Sequence, residues 1–203
     1  VIGQRVALDS TVFCGECDFC RNGQENLCTD RQVLGVSCDA YRRHGCFAEY
    51  VIVPKRCVYP LPDHMDFIAA SLLEPLTIGL QAVRLGNAGP TTRSAVVVGA
   101  GTIGLAIVAA LKAYGVQRIA AVDLDGGRLK EAKDLGADDV FNAAQVNPKQ
   151  LAEWGTSSVD TDGADLVLEA VGAAASVDTA IHAVTRGGIV VLVGNVSPTV
   201  EIP

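Results

Sequence analysis

The sequence predicts an α/β protein in two parts: a β-rich, cysteine-bearing region at residues 1–62 and a doubly wound parallel sheet at 63–203. Three observations carry this reading. All seven cysteines fall within the first part. From Ser94 onward, short all-apolar runs alternate with stretches of helical period, the pattern of a parallel sheet covered by helices. The segment "VVVGAGTIG" sets a glycine-rich turn between the first such run and the first such helix.

In chain order, the first part offers the strand candidates "RVAL", "FAEYVIVP" and "CVYPL", with Pro54, Pro60 and Pro62 as breakers. A helical bridge, "DHMDFIAASLLEPLTIGLQAVRLG", then aligns Leu73, Leu76, Leu80 and Val83. Pro75 suits the first turn of its second helix and Gly86 its end. "SAVVVG" reads as the first buried parallel strand, and residues 102–114 as a helix facing inward through Ile103, Ile107, Ala110, Leu111 and Tyr114. "RIAAVD" is the second strand. "GGRLKEAKDLG" is the second helix, with Leu129, Ala132 and Leu135 inward. "DVFNA" follows as a strand, and "NPKQLAEW" as a short helix with Asn147 to cap it and Pro148 at its first position. "ADLVLEAVG" is the fourth strand. "AAASVDTAIHAV" is a helix aligning Val177, Ala180, Ile181 and Val184, and "GGIVVLVG" is the fifth strand.

The chain has 203 residues, 49% hydrophobic and 19% charged, with a net charge of −7, which is ordinary globular material. No block of Lys or Arg stands out, which argues against nucleic acid or an anionic membrane as partner. No apolar run reaches membrane-spanning length. The chain opens on Val1 directly in a strand pattern with no signal segment, and both ends read as cut, as in an internal piece of a longer protein. An odd, clustered set of cysteines favours a reducing, cytosolic setting over a disulfide framework.

Four of those cysteines lie in "CGECDFCRNGQENLC", residues 14–28. Two overlapping Cys-x-x-Cys spacings let tight turns present pairs of sulfurs, and Cys14, Cys17, Cys20 and Cys28 can close a tetrahedral zinc shell. A shell with all four positions filled leaves none for water or substrate, so the clamp would be structural. An iron–sulfur cluster is the main rival, although no Pro follows the fourth cysteine. Four unrelated thiols or a redox pair is the bland alternative. Cys38, Cys46 and Cys57 read as buried small apolar residues, and His44 and His64 as surface or loop histidines.

In the glycine-rich turn, Gly99 permits the tight bend, Gly101 lets the backbone approach a pyrophosphate, and Gly104 lets the helix pack close to the sheet. The helix N-terminus faces the phosphates with N–H groups and a positive dipole end. Asp123, about twenty residues further on at the end of the next strand, can accept from both hydroxyls of an adenosine ribose. Its charge would repel a 2′-phosphate, which favours NAD over NADP. Arg128 weakens that preference, since it can help hold the adenine end of either cofactor.

Together "CGECDFCRNGQENLC", "GCFAEYVIVP", "LLEPLTIGLQAVR" and "VVVGAGTIGLAIVAALKAYG", in that order, resemble the zinc-dependent medium-chain alcohol dehydrogenases, and within them the polyol and butanediol branch. The resemblance implies a partial GroES-like catalytic lobe at 1–62 and a Rossmann lobe at 63–203, truncated before its last strand. It implies a structural zinc on Cys14, Cys17, Cys20 and Cys28, and it places Glu74 of "LLEPL" at the catalytic zinc, where polyol relatives carry glutamate. The cofactor set it implies adds Thr102, Ile103 and Val171 to Gly99, Gly101, Gly104, Asp123 and Arg128. It further implies hydride transfer from a secondary alcohol or polyol to NAD, with zinc as Lewis acid, in a homo-oligomeric enzyme. The family's Gly-His-Glu motif is absent from this sequence. Two alternatives follow: a dehydrogenase of the same fold acting on threonine, a formaldehyde adduct or a sugar acid, or a zinc- and nucleotide-binding module without catalysis.

Overall fold

The computed structural model describes residues 2–36, 38–156, 162–195, 197, 199 and 202, and the chain divides into two units, 1–72 and 73–203.

In the first unit, β1 (Val6–Leu8) pairs antiparallel with β5 (Val58–Pro60). A three-stranded sheet is formed by β2 (Thr11–Val12), β3 (Gln32–Leu34) and β4 (Arg42–Arg43), with β3 in the middle. The short helix α1 (Asp18–Arg21) lies inside the cysteine-rich segment, and α2 (Phe67–Ser71) closes the unit. Asp66 caps α2 by accepting from the Ala69 N–H at 2.6 Å. Arg5 ties the approach to α2 onto β1: its guanidinium donates to the carbonyls of Met65, Pro62 and Asp63 and stacks over Phe67.

The segment "FAEYVIVP" is not a strand. Its β-branched and aromatic residues suit a pleated surface, but nothing among the described residues pairs with it, and Phe47, Tyr50 and Ile52 stand fully or almost fully exposed. Cys57 is buried as expected. Cys38 and Cys46 are exposed, because the turns that carry them lie outside the small core. His44 and His64 are exposed.

The second unit is a three-layer sandwich. Its parallel sheet runs β10 (Val184–Leu192), β9 (Ala164–Glu169), β6 (Ser94–Val98), β7 (Arg118–Asp123), β8 (Asp139–Asn142). Strand alternation sorts its apolar residues between two cores. Ala95, Val97, Ile119, Ala121, Leu166 and Leu168 meet α3 (Leu73–Leu85), α4 (Thr102–Ala113) and α5 (Gly126–Asp134) on one face. Val96, Val98, Ala120, Val122 and Val167 meet α6 (Pro148–Gly155) and α7 (Ala174–Ala183) on the other. Asn147 and Gln150 form a reciprocal capping box at the start of α6, with Pro148 at its first position.

Three local readings change. On α3 the buried residues are Gly79, Ala82 and Val83, while Leu76 and Leu80 are exposed. The reason is close approach to α4: a Cβ on Gly79 would stand 2.8 Å from the Ala106 backbone, so the contact face needs small residues. Leu135 caps the end of α5 and is exposed rather than inward. Val184 leaves the α7 helix to begin β10, which is thus longer at its start than the sequence pattern suggests.

Candidate thiol clamp and dinucleotide cleft

In the first unit the four cysteines of residues 14–28 converge. Their sulfurs all lie within 4.8 Å of one another, and Cys14 and Cys20 Sγ are 3.9 Å apart. Four sulfurs at about 2.3 Å from a tetrahedral zinc would be separated by about 3.8 Å, so the donor set fits that ion. Backbone N–H groups turn toward the sulfurs: Cys17 N–H donates to Cys14 Sγ at 3.3 Å, Glu16 N–H to the same atom at 3.4 Å, and Cys14 N–H to Cys28 Sγ at 3.3 Å. Such donors favour the thiolate. The N–H groups of Cys20 and Thr29 hold the Cys17 thiol down at about 6, and those of Glu16 and Cys17 lower Cys14. Burial pushes Cys20 up to about 12. Backbone donors thus favour the thiolate at Cys14 and Cys17, while burial opposes it at Cys20, where a bound cation would offset the cost.

In the second unit the strand order reverses direction at β6, which lies between β7 and β9. Outside the carboxyl ends of these strands lies a cleft of about 510 Å³, at the place where open parallel sheets bind ligands. Gly99 ends β6 with φ +98°, a conformation that L side chains rarely adopt, and a Cβ there would stand 2.6 Å from Val171 Cγ2. A Cβ on Gly104 would stand 1.8 Å from the Gly99 carbonyl oxygen, so only glycine lets the first turn of α4 rest on the loop. Gly101 is the extended N-cap residue of α4 and has open space where its side chain would be.

Asp123 is nearly buried and already engaged. Its Oδ2 accepts from the Ala100 N–H at 2.7 Å, its Oδ1 accepts from the Asp125 N–H at 2.9 Å, and Arg128 Nη1 stands 3.9 Å from Oδ2. These bonds fix the carboxylate at the mouth of the cleft and leave it acceptor capacity. Asp125 caps α5, and the N–H groups of Arg128 and Gly127 hold its carboxyl below the usual carboxylate range.

Of the residues expected against a dinucleotide, Gly99, Asp123, Arg128 and Val171 line this cleft. Gly101, Thr102, Ile103 and Gly104 are outside its lining and form the cap and first turn of α4, with Thr102 exposed. Sequence reasoning missed the apolar wall of Leu124, Ala143 and Val146 and the hydroxyls of Ser176 and Thr179. The first three follow the ends of β7 and β8, so the rule that ligands sit beyond strand carboxyl ends could have found them. Glu74 lies exposed in the first turn of α3, in the other unit from the thiols, and its carbonyl accepts from Thr77 Oγ1 at 2.7 Å.

A parallel sheet that reverses at a glycine-rich turn, with an acid at the end of the adjacent strand, defines a dinucleotide-binding α/β protein. The family model "Zinc-binding dehydrogenase" matches residues 102–203, and "Alcohol dehydrogenase GroES-like domain" matches 1–63. The chain belongs to the zinc-dependent medium-chain dehydrogenase superfamily. It is 37% identical to an L-idonate 5-dehydrogenase of Vitis vinifera, over 100% of this chain and 54% of that protein. It is 35% identical to a sorbitol dehydrogenase of Bacillus subtilis, over 100% of this chain and 55% of that protein. The alcohol dehydrogenase of Thermus sp. ATN1 superposes with a TM-score of 0.87 at 33% identity, covering 99% of this chain and 59% of that one. The chain therefore spans about half the length of the curated relatives it matches. No helix among the described residues is long and apolar enough to cross a membrane.

Proposed function

We propose that the chain is part of an NAD-linked, zinc-containing oxidoreductase that takes hydride from a secondary alcohol or polyol. The observation that carries this is the cleft at the sheet's reversal, with Asp123 fixed by two backbone N–H groups at its mouth. When bound, the dinucleotide supplies the hydride acceptor, and a catalytic zinc supplies Lewis acidity toward the substrate hydroxyl.

The chain's own residues have separable parts in this reading. Gly99 and Gly101 leave room for a pyrophosphate beside the α4 N-terminus, where Thr102 and Ile103 form the first turn. Leu124, Ala143 and Val146 offer an apolar wall to the adenine. Asp123 accepts from the adenosine ribose and repels a 2′-phosphate, and Arg128 holds the adenine end. Val171 lies on the opposite wall. Cys14, Cys17, Cys20 and Cys28 hold a structural zinc that orders the segment around them. Glu74 is the chain's candidate for the catalytic metal, directly or through a water. The full enzyme would be a cytosolic homo-oligomer.

A second reading is a chain that holds one zinc and a dinucleotide without turnover. It is favoured by the four thiols being the one cluster of potential metal ligands among the described residues. A zinc count separates the two: two ions per chain favour catalysis, one favours the clamp alone.

The direct test is calorimetric titration with NAD and NADP. NAD is expected to bind at least about tenfold more tightly, the equivalent of one modest charge interaction. Asp123→Asn removes the charge and keeps an acceptor for only one of the two N–H groups, so it should narrow that preference while weakening binding of both cofactors. No measurable NAD binding by folded protein would overturn the proposal.

A further inference from the structure

At the carboxyl end of β9 sits a carboxylate that the sheet itself does not need. Glu169 lies between Val98 of β6 and Leu192 of β10 in the register, and none of its surface is exposed. Its Oε1 accepts from the Val171 N–H at 2.8 Å and from the Gly172 N–H at 2.7 Å. Its Oε2, equally buried, has no hydrogen-bond partner among the described residues. A desolvated carboxylate with one oxygen unpartnered is unfavourable, and an apolar residue in this place would avoid it. The one thing it visibly does is fold the turn at 170–172 back over the end of its own strand.

That turn is then held from both sides. The Ala170 N–H donates to the Val98 carbonyl at 2.8 Å, and the N–H groups of Val193 and Gly194 donate to the Glu169 carbonyl at 2.8 and 3.0 Å. A Cβ on Gly99 would stand 3.3 Å from the Ala170 carbonyl carbon, and one on Gly194 only 2.0 Å from the Gly172 nitrogen. The turn is therefore wedged between two loops that meet it through glycine. Val171, at its tip, forms the cleft wall that meets Gly99. With the Val171 N–H turned inward to Glu169, the residue offers the cleft its side chain instead of that donor.

We propose that Glu169 is a positioning residue of the dinucleotide cleft: by binding the N–H groups of Val171 and Gly172 it sets Val171 against the Gly99 loop, and so sets the fit of the cofactor. This rests on the reading that the cleft takes NAD. The group acts through Val171 and touches no reacting atom.

The experiment is calorimetric titration with NAD, with the thermal midpoint recorded in parallel, on the unmodified protein and on Glu169→Ala, Glu169→Gln and Leu151→Ala. Leu151 is a fully buried residue of α6 outside the cleft lining, and it serves as a purely structural control. Glu169→Ala is expected to weaken NAD binding by about tenfold or more per folded molecule. Glu169→Gln, whose amide oxygen can still accept both N–H groups, should stay within about threefold of the unmodified protein. Leu151→Ala should lower the midpoint while leaving affinity per folded molecule unchanged. If the unmodified protein binds no NAD, the reading of the cleft fails. If it binds and Glu169→Ala binds equally well, the positioning role fails, as it does if Glu169→Gln loses as much as Glu169→Ala. Should Glu169→Ala not fold, Glu169→Leu decides: its side chain fills much of the same buried space but accepts from neither N–H group, and undiminished affinity would overturn the proposal.

Discussion

In the first unit, the described apolar residues shielded from solvent are Val12, Leu61 and three cysteines, 20, 28 and 57. In the second, Val83, Ile107, Leu111, Ile119, Leu151 and Leu168 are all completely enclosed, with two apolar layers sharing one sheet. The first unit has 72 residues, strands of two or three residues, and exposed Phe47, Tyr50 and Ile52. Small units with so little enclosed apolar surface generally need a staple, and the thiol cluster occupies the place of one. The difference implies that the two halves of one chain are held by different physics: thiolate coordination of a metal near the N-terminus, and packing and sheet hydrogen bonds beyond it.

The largest expected effect breaks the first unit and spares the second. Structural zinc contributes roughly 10–16 kcal/mol in small metal-organised domains, far beyond what Val12 and Leu61 can supply. Cys20→Ala should lower bound zinc by one ion per chain, measured by atomic emission. Amide exchange within residues 6–34 should then become fast while exchange in β6, β7 and β9 stays slow. Retention of slow exchange in both regions would mean that packing alone orders the first unit.

The complementary break lies in the second unit. Ile107 of α4 is fully enclosed against the sheet. Ile107→Ala removes packed atoms and leaves a cavity, a change that costs about 2–5 kcal/mol in such cores. Chemical denaturation should show that loss in the transition of the second unit, with the zinc content unchanged.

How much of this was legible in the sequence follows the same division. The second unit's strands and the cap of α6 could be read directly, because continuous apolar runs and the Asn147–Pro148 signature are local consequences of local chemistry. The turn glycines were legible for the same reason, since the positive φ of Gly99 and the contact of Gly104 with the Gly99 carbonyl are local, while the approach of Val171 to Gly99 was not. The small face of α3 was not, because what selects Gly79 and Ala82 is the nearness of α4, and periodicity alone favours the larger leucines. The residues 47–54 have strand composition but no pairing partner among the described residues, and composition does not specify a partner. Cys38 and Cys46 were misread because a thiol's burial depends on where its turn lies. Glu169 gave no signal: it falls inside the run read as the fourth strand, and its two N–H partners come into place only in the folded turn.

The smallest effect sharpens the comparison from the edge of the second unit's sheet. At the amino ends of β6 and β9, Arg93 and Asp165 form a bidentate pair: Arg93 Nη2 lies 2.7 Å from Asp165 Oδ1, and Arg93 Nε and its backbone N–H donate to Oδ2 at 3.1 and 2.8 Å. Burial pushes the Asp165 carboxyl up, but the Arg93 side chain and backbone bonds together outweigh it and hold the carboxyl below the usual range. A folded-state value below the unfolded one, about 3.9, means that the pair's stabilisation is fully present above that pH. It is lost as pH falls through the lower folded-state value, where the unfolded chain has already bound its proton. The Arg93 side chain is 42% exposed, so solvent screening keeps the contribution small. Arg93→Met should therefore lower the second unit's thermal midpoint by a few degrees at pH 7. The gap between variant and unmodified protein should close below about pH 4, as protonation removes what the substitution has already removed. A gap that stays constant into acid would show that Arg93 acts through the packing of its aliphatic stem.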